Sequence, residues 1–280
     1  MKIGLVLEGG AMRGMYTAGV LDVFLDKSIE VDCIIGVSAG ALFGVNYKSR
    51  QPGRTLRYNI KYAKDNRYMG FKSLIRTGNI VNKEFCFDEI PNKLDVFDFD
   101  TFNKTKEEFY AVVTNVDTGA PEYIHIKDLN KSMEYLRASG SMPFVSKLVE
   151  INGKKYLDGG ISDSIPVEKM IDMGYDKIIV VLTRPKNYTK KKTDQNVAKL
   201  FYKKYPKLVD TINTRYLRYN NELKNIERLE KNNDIFVIRP SKFVKIKRLE
   251  KDENKIKEMY NLGKNDAING LEKLKEYLSK

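Results

Sequence analysis

The chain has 280 residues, 42% of them hydrophobic, enough for one large core with a smaller appended region. Two cysteines, Cys33 and Cys86, exclude a disulfide framework, and no run is long and apolar enough to span a bilayer. The net charge of +13 is carried wholly by the last third: residues 1–183 hold 24 Lys/Arg against 24 Asp/Glu, and residues 184–280 hold 26 against 13.

In chain order, Lys2–Leu7 reads as a strand; as an apolar run ended by Glu8 it is too short for a secretory leader. A glycine-rich turn, Gly9–Gly14, leads into a helix over Met15–Leu25. Val31–Ile35 is apolar and branched, as a buried strand should be, and Cys33 within it reads as a small core residue. Gly36-Val37-Ser38-Ala39-Gly40 follows, then a helix of small and apolar residues from Ala39 to Val45. The alternation of strand and helix predicts a parallel sheet with helices on its faces, an α/β class. Phe109–Val116 and Glu122–Ile126 read as strands joined by a turn at Asp117–Ala120. Lys147–Ile151, Asn152-Gly153 and Lys154–Leu157 form a predicted hairpin. Pro166 suits the first turn of a helix running to Met173, and Asp176–Leu182 reads as a buried strand.

After Arg184 the character changes. Lys190-Lys191-Lys192 lies in a polar loop, and Pro206 can start a helix with Leu208, Ile212, Tyr216, Tyr219, Leu223 and Ile226 on one face, read as core packing. A short strand, Asp234–Ile238, stops at Pro240, and a helical pattern through Ile256, Met259, Leu271, Leu274 and Leu278 closes the sequence. The expected organisation is a domain over residues 1–183 with a three-layer core and a basic, mainly helical extension over 184–280 packed on it. The basic region suits an anionic membrane surface or nucleic acid, or is a solvated lysine-rich face.

The segment with chemistry is Gly36–Gly40. It has the G-x-S-x-G form of a nucleophile elbow, with Ser38 on a sharp strand-to-helix turn, although so short a pattern also arises by chance. A serine nucleophile needs a base and a place for the oxyanion. The sole histidine, His125, precedes the acid in chain order and alternates with Ile124 and Ile126 in a strand, so it is expected to face solvent. That leaves a carboxylate or a lysine as base. Asp158, before Gly159-Gly160, is the candidate carboxylate; a turn aspartate before glycines is the ordinary alternative. Glu8-Gly9-Gly10-Ala11-Met12-Arg13-Gly14 places backbone N–H groups at a helix start, where an anion is favoured. It lacks the ending of a Walker A loop and misses G-x-G-x-x-G because Ala11 holds the middle position. Arg13 could meet an anionic head group or form a structural ion pair, Glu8 being one partner for it.

Together these segments resemble the patatin-like phospholipase family over about residues 1–183. Gly9–Gly14 is similar to its oxyanion loop, Gly36–Gly40 to its elbow, and Asp158-Gly159-Gly160 to its aspartate-glycine motif; Arg137-Ala138-Ser139-Gly140-Ser141-Met142-Pro143-Phe144 resembles the stretch upstream of that aspartate. The resemblance implies a Ser-Asp dyad, Ser38 as nucleophile and Asp158 as base, with Gly9, Gly10 and Ala11 binding the oxyanion, Arg13 and Gly14 supporting the loop, and Gly36, Gly40, Gly159 and Gly160 shaping the turns. It implies a lipid acyl hydrolase without metal or cofactor. Ala11 departs from the usual glycine. The expected setting is a reducing cytoplasm, with peripheral contact to anionic membrane through residues 184–280 and no specific nucleic acid. A soluble carboxylesterase or thioesterase, or a non-catalytic membrane- or nucleic-acid-binding protein, are the rival expectations.

Overall fold

An eight-stranded sheet organises the computed structural model, which describes residues 1–192 and 195–280. Its strands are β1 (Ile3–Leu7), β2 (Cys33–Val37), β3 (Glu108–Asn115), β4 (Pro121–His125), β5 (Val149–Ile151), β6 (Lys154–Asp158), β7 (Lys177–Val181) and β8 (Phe236–Ile238). The spatial order is β5-β6-β3-β2-β1-β7-β8, with β4 also pairing with β3. The run from β3 through β2, β1 and β7 to β8 is parallel, whereas β4, β5 and β6 join antiparallel.

The helices are α1 (Met15–Asp26), α2 (Ala39–Lys48), α3 (Arg54–Tyr62), α4 (Phe71–Thr77), α5 (Phe99–Lys104), α6 (Leu129–Ser139), α7 (Val167–Asp172), α8 (Gln195–Phe201), α9 (Pro206–Lys231), α10 (Glu253–Asn269) and α11 (Leu271–Ser279). Strand alternation sorts them into two layers. Leu5, Leu7, Ile34, Phe109, Ile179 and Val181 face one core with residues of α1, α2 and α10. Val6, Cys33, Ile35, Ile178 and Val180 face the other with residues of α7 and α9. Both faces are covered, which is why the central strands are continuous apolar runs. The expected three-layer α/β core is present.

β2 starts two residues later than the apolar run suggests. Asp32 is spent on β1 instead: its Oδ2 accepts from Ile3 N at 2.6 Å, and its own N–H donates to the Ile3 carbonyl. The strand then continues through Gly36 and Val37, the first half of the serine motif. The C-terminal third is woven into the core. β8 pairs in parallel with β7, and α10 crosses α1 where a Cβ on Gly19 would lie 2.1 Å from the Tyr260 carbonyl oxygen and one on Gly263 2.1 Å from that of Tyr16. Only glycine permits so close an approach of two helix backbones. The stretch between α2 and β3, unassigned by its sequence pattern, forms α3, α4, a π-helical segment Phe85–Leu94 and α5.

Candidate active site

Sheet register brings the two sequence-distant candidates together. Val37 of β2 lies opposite Val112 of β3, and Asp158, the last residue of β6, lies opposite Val113. Ser38, one step beyond Val37, and Asp158 therefore reach the same level on either side of β3. Ser38 Oγ donates to Asp158 Oδ2 at 2.6 Å. Both residues are buried, at 8% and 6% exposure.

Ser38 sits at the head of α2 with φ 53° and ψ −123°, a backbone state that costs a non-glycine residue on the order of 1–3 kcal/mol. Its N–H donates to Ser139 Oγ, at the end of α6, at 2.9 Å. The turn is tight because its glycines leave no room for side chains: a Cβ on Gly40 would lie 2.4 Å from the Leu7 carbonyl oxygen, and one on Gly36 2.5 Å from Ala41 Cα.

Asp158 is held at every polar atom. Oδ1 accepts from Gly160 N at 2.7 Å, its backbone N–H donates to the Ser141 carbonyl at 2.9 Å, and its carbonyl accepts from Thr114 Oγ1 at 2.8 Å. Gly159 opens a short 3-10 turn, Gly159–Ile161, behind it. Burial raises the Asp158 pKa, while the Ser38 hydrogen bond and the charges of Arg215 and Arg248 pull it down. A carboxylate with a raised pKa is a stronger base than one in water.

The glycine-rich loop abuts the serine. A Cβ on Gly9 would lie 3.0 Å from Ser38 Cβ. The N–H groups of Gly9, Gly10 and Ala11 have no acceptor among the described residues, and Ala11 takes φ 48° where a glycine would be unstrained. Gly14 is buried and caps α1. The ion pair of Arg13 with Glu8 is not formed. Glu8 Oε1 accepts from Tyr219 at 2.7 Å and Oε2 from Thr183 N at 2.5 Å, and Arg13 Nε is buried with no partner among the described residues.

A cavity of about 140 Å³ adjoins Ser38, lined by Ala11 and Met12 of the loop and by mostly apolar side chains including Leu42, Phe43, Met69 and Leu136. His125 lies elsewhere on β4, its ring stacked on Tyr110 at 4.6 Å and its Nε2 4.0 Å from Glu108. Among the described residues, no three His, Cys, Asp or Glu side chains gather as a metal site. Sequence reasoning missed Ser139, Arg215 and Arg248. Ser139 lay within the Arg137–Phe144 stretch and carried a signal; the arginines, on α9 and in the segment before α10, carried none beyond positive charge.

The molecule is a three-layer α/β protein in which a serine at a strained elbow, at the carboxyl end of the parallel strand β2, is bonded to a buried carboxylate at the end of the antiparallel strand β6. The chain belongs to the patatin-like phospholipase family, which matches residues 5–171; a domain of unknown function, DUF6363, matches residues 205–279. It is 31% identical over 189 residues to the uncharacterized protein YjjU of Escherichia coli, covering 66% of this chain and 52% of that one. It is 29% identical over 187 residues to the lysophospholipase NTE1 of Saccharomyces cerevisiae, covering 64% of this chain and 10% of the yeast protein. The chain thus spans about half the length of the first relative and a small part of the second. Among solved structures, VipD from Legionella pneumophila overlays 97% of this chain and 67% of its own at 14% identity and a TM-score of 0.46. No helix among the described residues is long and apolar enough to cross a membrane.

Proposed function

We propose that the protein is a serine acyl hydrolase that cleaves lipid ester bonds through Ser38 and Asp158, with no metal taking part. The observation that carries this is the 2.6 Å hydrogen bond between the two side chains, at a serine held in a strained turn beside an apolar cavity. Asp158 Oδ2 accepts the Ser38 proton as Oγ bonds to the ester carbonyl carbon. The N–H groups of Gly10 and Ala11, with Gly9, hold the carbonyl oxygen as it gains charge. The C–O bond to the alcohol breaks, and the alcohol leaves with the proton from Asp158. Water then attacks the acyl-enzyme, gives its proton to Asp158, and frees the fatty acid as Oγ regains a proton. The acyl chain lies in the apolar cavity. Residues 1–183 act as the catalytic domain, and residues 184–280 as a basic extension that completes it and meets anionic membrane from the cytoplasmic side.

Fatty-acid release from a lysophospholipid by wild type, Ser38→Ala and Asp158→Asn tests the chemistry. Wild type turns over and both variants lose roughly three orders of magnitude or more; a fully active Asp158→Asn removes the dyad. Faster turnover on short nitrophenyl or CoA esters than on lipid would replace the lipid with a soluble acyl ester. Activity equal on neutral and anionic vesicles at low salt would remove the membrane contact.

A further inference from the structure

The C-terminal third sends cationic side chains toward Ser38 and Asp158. Arg215, on α9, has its Nη2 3.0 Å from where a Cβ on Gly160 would lie, against the Asp158 turn. Arg248, exposed in the segment before α10, lines the same cavity as Ser38, and its carbonyl accepts from Met12 N at 3.3 Å, tying that segment to the glycine-rich loop. Arg13 comes from the loop itself. Behind them, Lys190 Nζ stands 4.2 Å over the Tyr219 ring and the Arg184 guanidinium 4.2 Å over the Tyr188 ring, with the two tyrosines edge to face at 5.9 Å.

The nearby carboxylates offset this charge only in part. Asp158, bonded to Ser38 and Gly160, faces both Arg215 and Arg248, and Glu8, bonded to Tyr219 and Thr183, faces both Arg13 and Lys190, while the Glu222 carboxyl is pushed up to about 8 by burial and then by Asp163, so it is mainly protonated at pH 7. Arg13 Nε and Arg215 Nε are buried with no partner among the described residues. The cations act on one another. Burial and then Arg184 bring Arg13 down to about 10, and burial and then Arg215 bring Lys190 down to about 7. Like charges gathered in a half-buried place favour an anion, and guanidinium forks match a phosphate.

We propose that Arg13, Arg215 and Arg248 form a phosphate subsite, which holds the glycerophosphate part of a lipid ester while its acyl carbonyl lies at Ser38. The C-terminal region thereby completes the site and selects phosphate-bearing esters over neutral glycerides. The selection rests on the hydrolase function proposed above; the binding does not.

Two measurements on the full chain test it. Calorimetric titration of the Ser38→Ala protein with glycerol 3-phosphate and with inorganic phosphate should show both competing for one site. Arg215→Gln and Arg248→Gln should each weaken this binding by about tenfold or more, and Arg215→Lys, which keeps the charge, by less. Arg248 is exposed, so its variant reports even if Arg215→Gln does not fold. Binding of phosphate with no binding of glycerol 3-phosphate, or variants that bind as well as the parent, overturns the subsite. In the second measurement, wild type should prefer a lysophospholipid to a monoacylglycerol of the same chain by about tenfold or more in kcat/KM, and Arg248→Gln should shrink that ratio through KM. Hydrolysis of both esters without preference overturns the subsite and leaves the hydrolase. Phosphate binding without ester hydrolysis overturns the hydrolase and leaves the subsite.

Discussion

Residues 1–183 and residues 184–280 meet at one site but are built on different rules. The first part is charge-neutral and holds Ser38, Asp158 and the loop at Gly9–Gly14. The second carries the whole excess of +13 and no motif of its own, yet it supplies β8, the helices α9 and α10, and Arg215 and Arg248 beside Asp158. A strand-to-helix turn needs glycine wherever backbone meets backbone, so it leaves a pattern in the chain. An arginine that reaches a site from a long helix obeys only the helical period and leaves none. The paired serine and carboxylate are therefore specified locally, and their electrostatic surroundings are specified by the fold.

The largest expected effects fall in the first part. Ser38→Ala and Asp158→Asn should each lower ester hydrolysis by roughly a thousandfold or more with circular dichroism unchanged, whereas the charge variants of the second part should act mainly on KM. Smaller losses at Ser38 than at Arg248 would invert the comparison.

Gly19→Val asks whether the two parts fold as one. Its side chain would start 2.1 Å from the Tyr260 carbonyl oxygen, where α1 and α10 cross backbone to backbone. A loss of about 1–3 kcal/mol or more in a single urea transition is expected. Two separated transitions in wild type would show that the C-terminal third is an independent unit.

The pH dependence sharpens the electrostatic side. Burial raises the Asp158 pKa above 3.8, against Ser38, Arg215 and Arg248. Hydrolysis needs the carboxylate, so the acid limb of kcat/KM should lie above the ordinary Asp range. Stability runs the other way. A carboxyl whose folded pKa is raised contributes stability that is fully present below its unfolded value and lost as pH rises through its folded value. Wild type should therefore lose stability relative to Asp158→Asn as pH rises above the ordinary Asp range, read by urea midpoints; a gain over that range contradicts the burial of this charge.

The smallest effect is expected at the sole histidine. His125→Ala should leave hydrolysis within about twofold, because its ring, on β4, is stacked on Tyr110, with Glu108 4.0 Å from its Nε2, and makes no contact with the elbow among the described residues. A large loss would restore a histidine base.

Much of this was legible beforehand for a physical reason. Central strands with both faces covered are apolar throughout, so β1, β2, β3 and β7 announce themselves. The elbow, the aspartate turn and the loop each contain glycine pairs or neighbours at fixed spacing. Besides Arg215 and Arg248, three things were not legible. Asp32 reads as part of a strand until its hydrogen bonds to Ile3 are seen. The helices between α2 and β3 have mixed faces that pack largely on other helices, α3 on α1, α2 and α10, and α5 on α2 and α6. Arg13 next to Glu8 looks like an ion pair in sequence, and only the placement of Tyr219 and Thr183 on Glu8 shows why it is not.

The most direct test of the dyad is fluorophosphonate labelling read by intact mass and peptide mapping. Wild type should take up one adduct, on Ser38, and Ser38→Ala should take up none. A folded wild type that stays unlabelled, or a Ser38→Ala protein that labels as wild type does, would contradict Ser38 as the nucleophile.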